Sequence, residues 1–133
     1  MQAYSRETGL VLTSYGTLGS PGRSSVANEQ GCVIPSVLTN PVVVFMAQAL
    51  GRTPAQVMLR YFVQQGIGVI PKSVTPARIQ ENSQLFGWSL SEACMAALRS
   101  LDKGEAGRSF NFSSRRGFEL HPEYPFPCTP HTR

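Results

Sequence analysis

Apolar and polar positions along the 133 residues fall into short blocks, most of them closed by glycine or proline. In "GLVLTSYGTLGSPG" the run Leu10 to Tyr15 is strand-like, and it breaks into Gly16, Gly19, Pro21 and Gly22. That is a strand entering a Gly-rich loop. Residues 23–39 show no clear period and are expected to form loop. Asn40-Pro41 has the form of a helix N-cap followed by the first helical position. The following "VVVFMAQAL" carries three consecutive valines, which locally favour a strand. The Asn-Pro before it and Gly51 after it favour a helix, and a helix is the expectation. Thr53-Pro54 repeats the start signal, and "AQVMLRYFVQQ" continues to Gly66. This helix is apolar on most of its circumference, which predicts burial on more than one side.

"IGVIP", Ile67 to Pro71, is a short apolar run between Gly66 and Pro71. Its length and β-branched content predict a buried strand of the parallel-sheet kind. Thr75-Pro76 opens a third helix to about Phe86. Ser91 opens a fourth reaching Leu101, with Leu90 and Met95 placed as a hydrophobic staple. Leu85, Phe86 and Trp88 are expected in the core. Met46, Met58 and Met95 are expected as apolar gap fillers, and Cys94 as a small buried hydrophobe. Asp102 to Arg133 is rich in Gly, Pro and aromatics and is expected to be a long irregular tail.

The order is strand, long loop, two helices, strand, two helices, tail, and that alternation indicates parallel α/β architecture. Two parallel strands cannot bury both of their faces, and a barrel or doubly wound sheet needs several more. The chain therefore reads as the end of a larger domain.

Composition changes this picture little. Hydrophobic residues make up 41% and charged residues 15%, the latter below the roughly 25% of ordinary soluble domains. Much of the surface is therefore expected to be buried or to face an interface. The net charge of +4 favours anionic partners without choosing among them. There is no block of like charges, and Arg115-Arg116 forms no stripe, so a nucleic-acid partner is not expected. Cys32, Cys94 and Cys128 are too few and too irregular for a disulfide framework or a zinc site. A reduced, cytoplasmic setting is the expectation. The N-terminus has no apolar signal core and no run of about 18 apolar residues occurs, so no membrane partner is expected.

The chemistry concentrates in "VIPKSVTPARIQEN", Val69 to Asn82. Lys72 and Ser73 fall just past the C-terminal end of the second predicted strand, the edge at which α/β folds bind ligands. Thr75-Pro76 then starts a helix whose free N–H groups favour an anion. Arg78 lies in its first turn, and Asn82, four residues on, shares its face. Glu81 has two uses: to accept from an amino group such as that of adenine, or to pair with Arg78. Lysine, serine, helix start and arginine together make a socket for a doubly charged phosphate. The same residues also fit ordinary capping and solvated charge. Neither G-x-G-x-x-G nor a Walker lysine motif is present, so a nucleotide site here is of barrel rather than Rossmann type.

This segment resembles the C-terminal signature of the aldo-keto reductases. "GLVLTSYGTLGSPG" resembles the family's seventh strand and the loop after it. "LGRTPAQVMLRYFVQQGIGVIPKS" resembles the helix leading into its eighth strand, and "HPEYPF", His121 to Phe126, its C-terminal tail. The resemblance is strongest to the branch that reduces aldehydes and ketones with NADPH. It implies the C-terminal part of a (β/α)8 TIM barrel: two parallel strands, about four helices and an irregular tail, an incomplete barrel. Residues 1–103 would be barrel, and 104–133 the loop that shapes the substrate pocket.

Position by position, the resemblance implies that Lys72, Ser73 and Arg78 hold the adenosine 2′-phosphate of NADPH. Val74 and Thr75 match contacts beside it, and Glu81 and Asn82 match contacts to adenine. Tyr15 matches the aromatic that stacks on nicotinamide, and Leu18 and Ser20 the loop over the pyrophosphate. Gly16, Thr17 and Gly22 depart from the family pattern, which has Ser and Pro at the first two and often Asp at the third. The family's catalytic Tyr, with its Lys, Asp and His, belongs to the first half of the barrel and has no match here. Tyr4, Tyr61, Tyr124, His121 and His131 stand in no matching context. The chain is thus expected to carry a cofactor site without the catalytic residues. The alternative is a non-catalytic nucleotide-binding or interaction module.

Overall fold

In the computed structural model, residues 1–19, 35–107, 117 and 120–124 are described. Five α-helices and two short strands follow in order: α1 (Gln2–Thr8), β1 (Thr13–Ser14), α2 (Pro41–Leu50), α3 (Pro54–Val63), β2 (Gly68–Val69), α4 (Pro76–Ser83) and α5 (Glu92–Arg99). Single 3₁₀ turns stand at Val37–Thr39 and Gly104–Gly107. The strands are parallel neighbours, with Thr13 opposite Gly68 and Ser14 opposite Val69. Among the described residues the expected order of strands and helices is present with one addition, α1; most of the expected long loop and of the irregular tail lies outside the described residues. No capping side chain announces α1, and it buries no residue, so periodicity had nothing to show.

The helix starts follow the local chemistry. The Asn40 side chain accepts from the Val42 N–H, and Pro41 fills the position whose N–H would be idle, so α2 forms despite its valines. Gly51, at φ 60°, ends it in the left-handed region. A capping box opens α3: the Thr53 hydroxyl accepts from Gln56 N–H at 3.2 Å, and Gln56 Oε1 accepts from Thr53 N–H at 3.0 Å. Between α2 and α3 the chain turns by 92°. Among the described residues no single helix is long and apolar enough to cross a membrane.

The core is made by Val43, Met46 and Ala47 of α2, Val57 and Met58 of α3, Leu90, and Met95 and Leu98 of α5. Leu90 and Met95 thus meet the same cluster from either side of the Ser91 cap, as the staple requires. All three expected methionines are buried. Val57 and Leu59 are both 0% exposed, yet two residues apart on a helix they point roughly 200° from each other. That is the predicted burial of α3 on more than one side.

Four expectations need correction. The third helix ends at Ser83 rather than at Phe86, because Gln84 leaves helical geometry at ψ 57°. Leu85 then turns inward and Trp88 packs against the core, while Phe86, on the outside of that bend, is 74% exposed. The second strand is only half covered: Ile67 is buried, but Ile70 is 62% exposed, as is Val11 beside β1 at 83%. Among the described residues the sheet has two strands, α3 contacts β2, and neither outer edge is paired. Cys94 is half-buried against the core rather than enclosed.

Replacing Leu59 by Ala is expected to lower unfolding stability by about 2–5 kcal/mol, the usual cost of emptying a closed site. Phe86→Ser is expected to stay within about 0.5 kcal/mol. Urea titration followed by the fluorescence of the single Trp88 measures both.

Candidate functional site

Parallel pairing sends both strands out at the same edge of the sheet. The chain leaves β1 through Tyr15 to Gly19 and leaves β2 through Ile70 to Thr75, so these two loops share one end of the molecule. At the first loop, Thr17 Oγ1 donates to Ser14 O at 3.1 Å and lies 2.8 Å from Ser14 Oγ, and Gly19 N–H donates to Gly16 O at 2.8 Å. Gly16 and Gly19 both take positive φ, at 67° and 73°, which this tight turn needs. Tyr15 is 72% exposed at the strand end. Leu18 points the other way, against the core. The loop is thus pinned from below by Leu18 and closed on itself by Thr17. Ser20 and the departure at Gly22 lie outside the described residues.

At the second loop Lys72 is exposed and Ser73 half-buried. Ser73 Oγ accepts from Thr75 N–H at 3.2 Å, a short local bond that folds the loop onto the start of α4. Thr75 is the N-cap of α4, but its hydroxyl makes no capping bond. Pro76 has no N–H to offer, and the first helical bond runs from Ile79 N–H to Thr75 O. The amides of Ala77 and Arg78 therefore sit in the first turn, where a helix has no internal acceptor for them. Val74 is exposed, and Arg78 projects from the same first turn into solvent. Among the described residues the one ion pair is Arg99–Glu92, at 4.0 Å. Arg78 is consequently not paired with Glu81, which removes one of the two uses open to that carboxylate.

Farther along α4, Glu81 and Asn82 are half-buried. The structure thus gathers Lys72, Ser73, Val74, Thr75 and Arg78 at the opening turn of α4, and holds Glu81 and Asn82 on its last turn. Tyr15 and Leu18 belong to the neighbouring loop at the same sheet edge. Chemically, the opening turn offers two free cations, two hydroxyls and unpaired amides, a donor set suited to an anion.

What the sequence did not reveal is how this segment is held. Gln56 and Arg60 of α3 and its C-cap Gln64 stand four residues apart and form one polar stripe. Gln56 Nε2 donates to Glu81 O at 3.1 Å, and Arg60 Nη1 to Leu85 O at 3.0 Å. Gln64 Nε2 donates to Leu90 O at 2.8 Å while its Oε1 accepts from Leu90 N–H at 3.0 Å. Trp88 adds to this seam: Arg52 and Arg60 lie 5.1 and 5.9 Å from its ring centroid, and its Nε1–H donates to Gln84 O at 3.2 Å. The available signal was three long polar side chains at a strict four-residue spacing in a helix otherwise apolar.

The aldo/keto reductase family model matches residues 1–103. The chain is 45% identical over 101 residues to "Aldo-keto reductase family 1 member A1" of Xenopus tropicalis, covering 76% of this chain and 30% of that protein. It is 37% identical over 118 residues to the NAD(P)H-dependent D-xylose reductase of Aspergillus niger, covering 89% of this chain and 35% of the other. Among solved structures, the aldose reductase of Schistosoma japonicum superposes with a TM-score of 0.70 at 36% identity, over 93% of this chain and 34% of that one. MGS-M4, an aldo-keto reductase from a deep-sea metagenome, gives 0.66 at 27% identity, over 82% and 35%. This α/β chain belongs to the aldo/keto reductase family. It spans about a third of the length of the curated relatives it matches.

Because the Thr75 hydroxyl makes no capping bond, Thr75→Asp is expected to add one and to stabilise the chain by about 0.5 kcal/mol at neutral pH. A thermal melt reads the gain; a lowered midpoint would show that Thr75 already supports the helix in a way Asp cannot.

Proposed function

We propose that the chain is the C-terminal segment of an NADPH-dependent aldo-keto reductase of (β/α)8 barrel form, contributing the 2′-phosphate and adenine site and part of the substrate rim. The observation that carries this reading is the opening turn of α4. Lys72 and Arg78 flank it without an acidic partner, and its cap hydroxyl and first amides are unspent. Charge-assisted bonds from such groups to phosphate are worth about 1.5–3 kcal/mol each. A 2′-phosphate held this way distinguishes NADPH from NADH.

In this reading Lys72, Ser73 and Arg78 grip the phosphate, with the Val74 and Thr75 backbone and the Thr75 hydroxyl beside it. Glu81, free of Arg78, accepts from the adenine amino group, with Asn82 next to it. Tyr15 lies against nicotinamide, and Leu18 and Ser20 shape the loop along the pyrophosphate. Leu18 does so through its backbone, since its side chain is committed to the core. When bound, the dinucleotide supplies the hydride for reducing an aldehyde or ketone. The proton donor of the family, a Tyr in the company of Lys, Asp and His, comes from the first half of the barrel. This segment therefore binds and orients, and by itself does not turn over. The exposed Val11 and Ile70 beside the open sheet edges support the barrel reading, because further strands would cover them. A cytoplasmic setting, with its reduced thiols and NADPH pool, belongs to the same proposal.

Isothermal titration of the chain with adenosine 2′,5′-bisphosphate against adenosine 5′-monophosphate tests the grip. The bisphosphate is expected to bind at least tenfold more tightly, and Lys72→Ala with Arg78→Ala to abolish the difference. Equal affinities in the parent chain contradict the reading. NADPH oxidation with a simple aldehyde is expected to stay at background for the chain alone; robust turnover would show that it carries a proton donor of its own.

A further inference from the structure

Helix α4 presents Arg78, Glu81 and Asn82, yet it contributes no buried residue of its own. Apolar packing therefore does not fix where those side chains stand. What reaches α4 from the body is the carboxamide of Gln56, the one buried polar side chain among the described residues, at 4% exposure. Both of its ends are occupied. Oε1 accepts from Thr53 N–H at 3.0 Å, closing the capping box of α3. Nε2 donates to Glu81 O at 3.1 Å, with Gln84 O at 3.5 Å. Glu81 O already accepts from Gln84 N–H at 3.1 Å, the cap bond that closes α4. Gln56 adds a second donor from outside the helix, and in doing so couples the first turn of α3 to the last turn of α4.

We infer that Gln56 is a positioning residue for the base-reading end of the nucleotide site: its amide hydrogens set the placement of Glu81 and Asn82, while Lys72 and Ser73 lie outside its reach. This rests on the proposed nucleotide reading. Its consequence is specific. Loss of the Nε2 donor should disturb recognition of the base more than the hold on the phosphate, because Lys72 and Ser73 follow β2 closely and Arg78 stands at the opposite end of α4 from the Gln56 bond.

The chemistry of glutamine permits a selective change. Gln56→Glu keeps the acceptor for Thr53 N–H and with it the capping box. It removes the donor to Glu81 O and sets a carboxylate oxygen facing two carbonyls. Thr53→Ala does the reverse, weakening the box and leaving the Nε2 bond in place. Gln56→Met keeps the length of the side chain and removes both bonds, and it serves if the buried carboxylate prevents folding.

Two readouts decide the matter. The first is amide hydrogen exchange over residues 79–84, compared with residues 57–63. Gln56→Glu (or Gln56→Met) is expected to speed exchange in α4 at least tenfold relative to α3, and Thr53→Ala to leave the ratio within twofold of the parent. An unchanged ratio in the Gln56 variants overturns the inference. The second is the affinity ratio of adenosine 2′,5′-bisphosphate to inosine 2′,5′-bisphosphate, which differ at the 6-amino group that Glu81 would read. The parent is expected to favour adenosine about fivefold, and the Gln56 variants to fall to near equality while binding inosine 2′,5′-bisphosphate within threefold of the parent. A parallel loss for both ligands means general destabilisation and overturns positioning. If the parent binds neither bisphosphate, the nucleotide reading fails, and exchange alone then shows whether Gln56 anchors α4.

Discussion

Helix α3 has to satisfy unlike neighbours on different sides, and the rest of the chain is arranged around that constraint. One side sends Val57 and Met58 into the cluster shared with α2 and α5, and the side opposite Val57 closes over Leu59. A third face is polar, and Gln56, Arg60 and Gln64 bond backbone groups of Glu81, Leu85 and Leu90. A helix buried on several sides normally forbids such a face, since each polar atom taken from water needs a partner. Here the partners are backbone groups of the last turn of α4 and of the segment after it: Glu81 O, Leu85 O, and both the carbonyl and the N–H of Leu90. The match is incomplete at one atom: Arg60 Nε is buried without a hydrogen-bond partner, while Arg60 Nη1 reaches Leu85 O.

That arrangement explains the character of the candidate site. Its floor is firm, because β2 follows directly from α3 and pairs in parallel with β1, which brings the two loops together. Its reading surface, α4, is held by hydrogen bonds at one end and exposed at the other. The cations at the exposed end have no acidic partner, so an incoming anion displaces water alone and breaks no existing ion pair. An exposed guanidinium and ammonium add little to folding stability. Under the proposed function these two cations, at a helix start with an unspent cap hydroxyl, serve binding rather than architecture.

The sequence made the start signals legible, because capping is local: Asn40-Pro41, Thr53-Pro54 and Ser91 each name their helix. It made the strand order legible through length and punctuation, and it drew the eye to the Lys72–Arg78 segment through residue type. It did not reveal α1, which has neither cap nor buried face. It overextended α4 to Phe86, because the bend at Gln84 is dictated by Leu85 entering the core and Trp88 lying beside Arg52 and Arg60. The Gln56–Glu81 link was hidden for a similar reason: it joins residues 25 apart, and nothing in a local window couples them. The position-by-position roles came from family resemblance, and the family match over residues 1–103 supports the resemblance without assigning any single side chain.

The central claim is electrostatic and local: the junction between β2 and α4 takes a phosphate on the 2′ position of adenosine. Amide chemical shifts of the isotopically labelled chain, followed during titration with adenosine 2′-monophosphate and then with adenosine 5′-monophosphate, address it most directly. The account predicts saturable shifts at Ser73, Ala77 and Arg78 with the 2′ ester, and much smaller ones at those amides with the 5′ ester. Identical responses to the two esters, or shifts that leave those three amides unmoved, would contradict it.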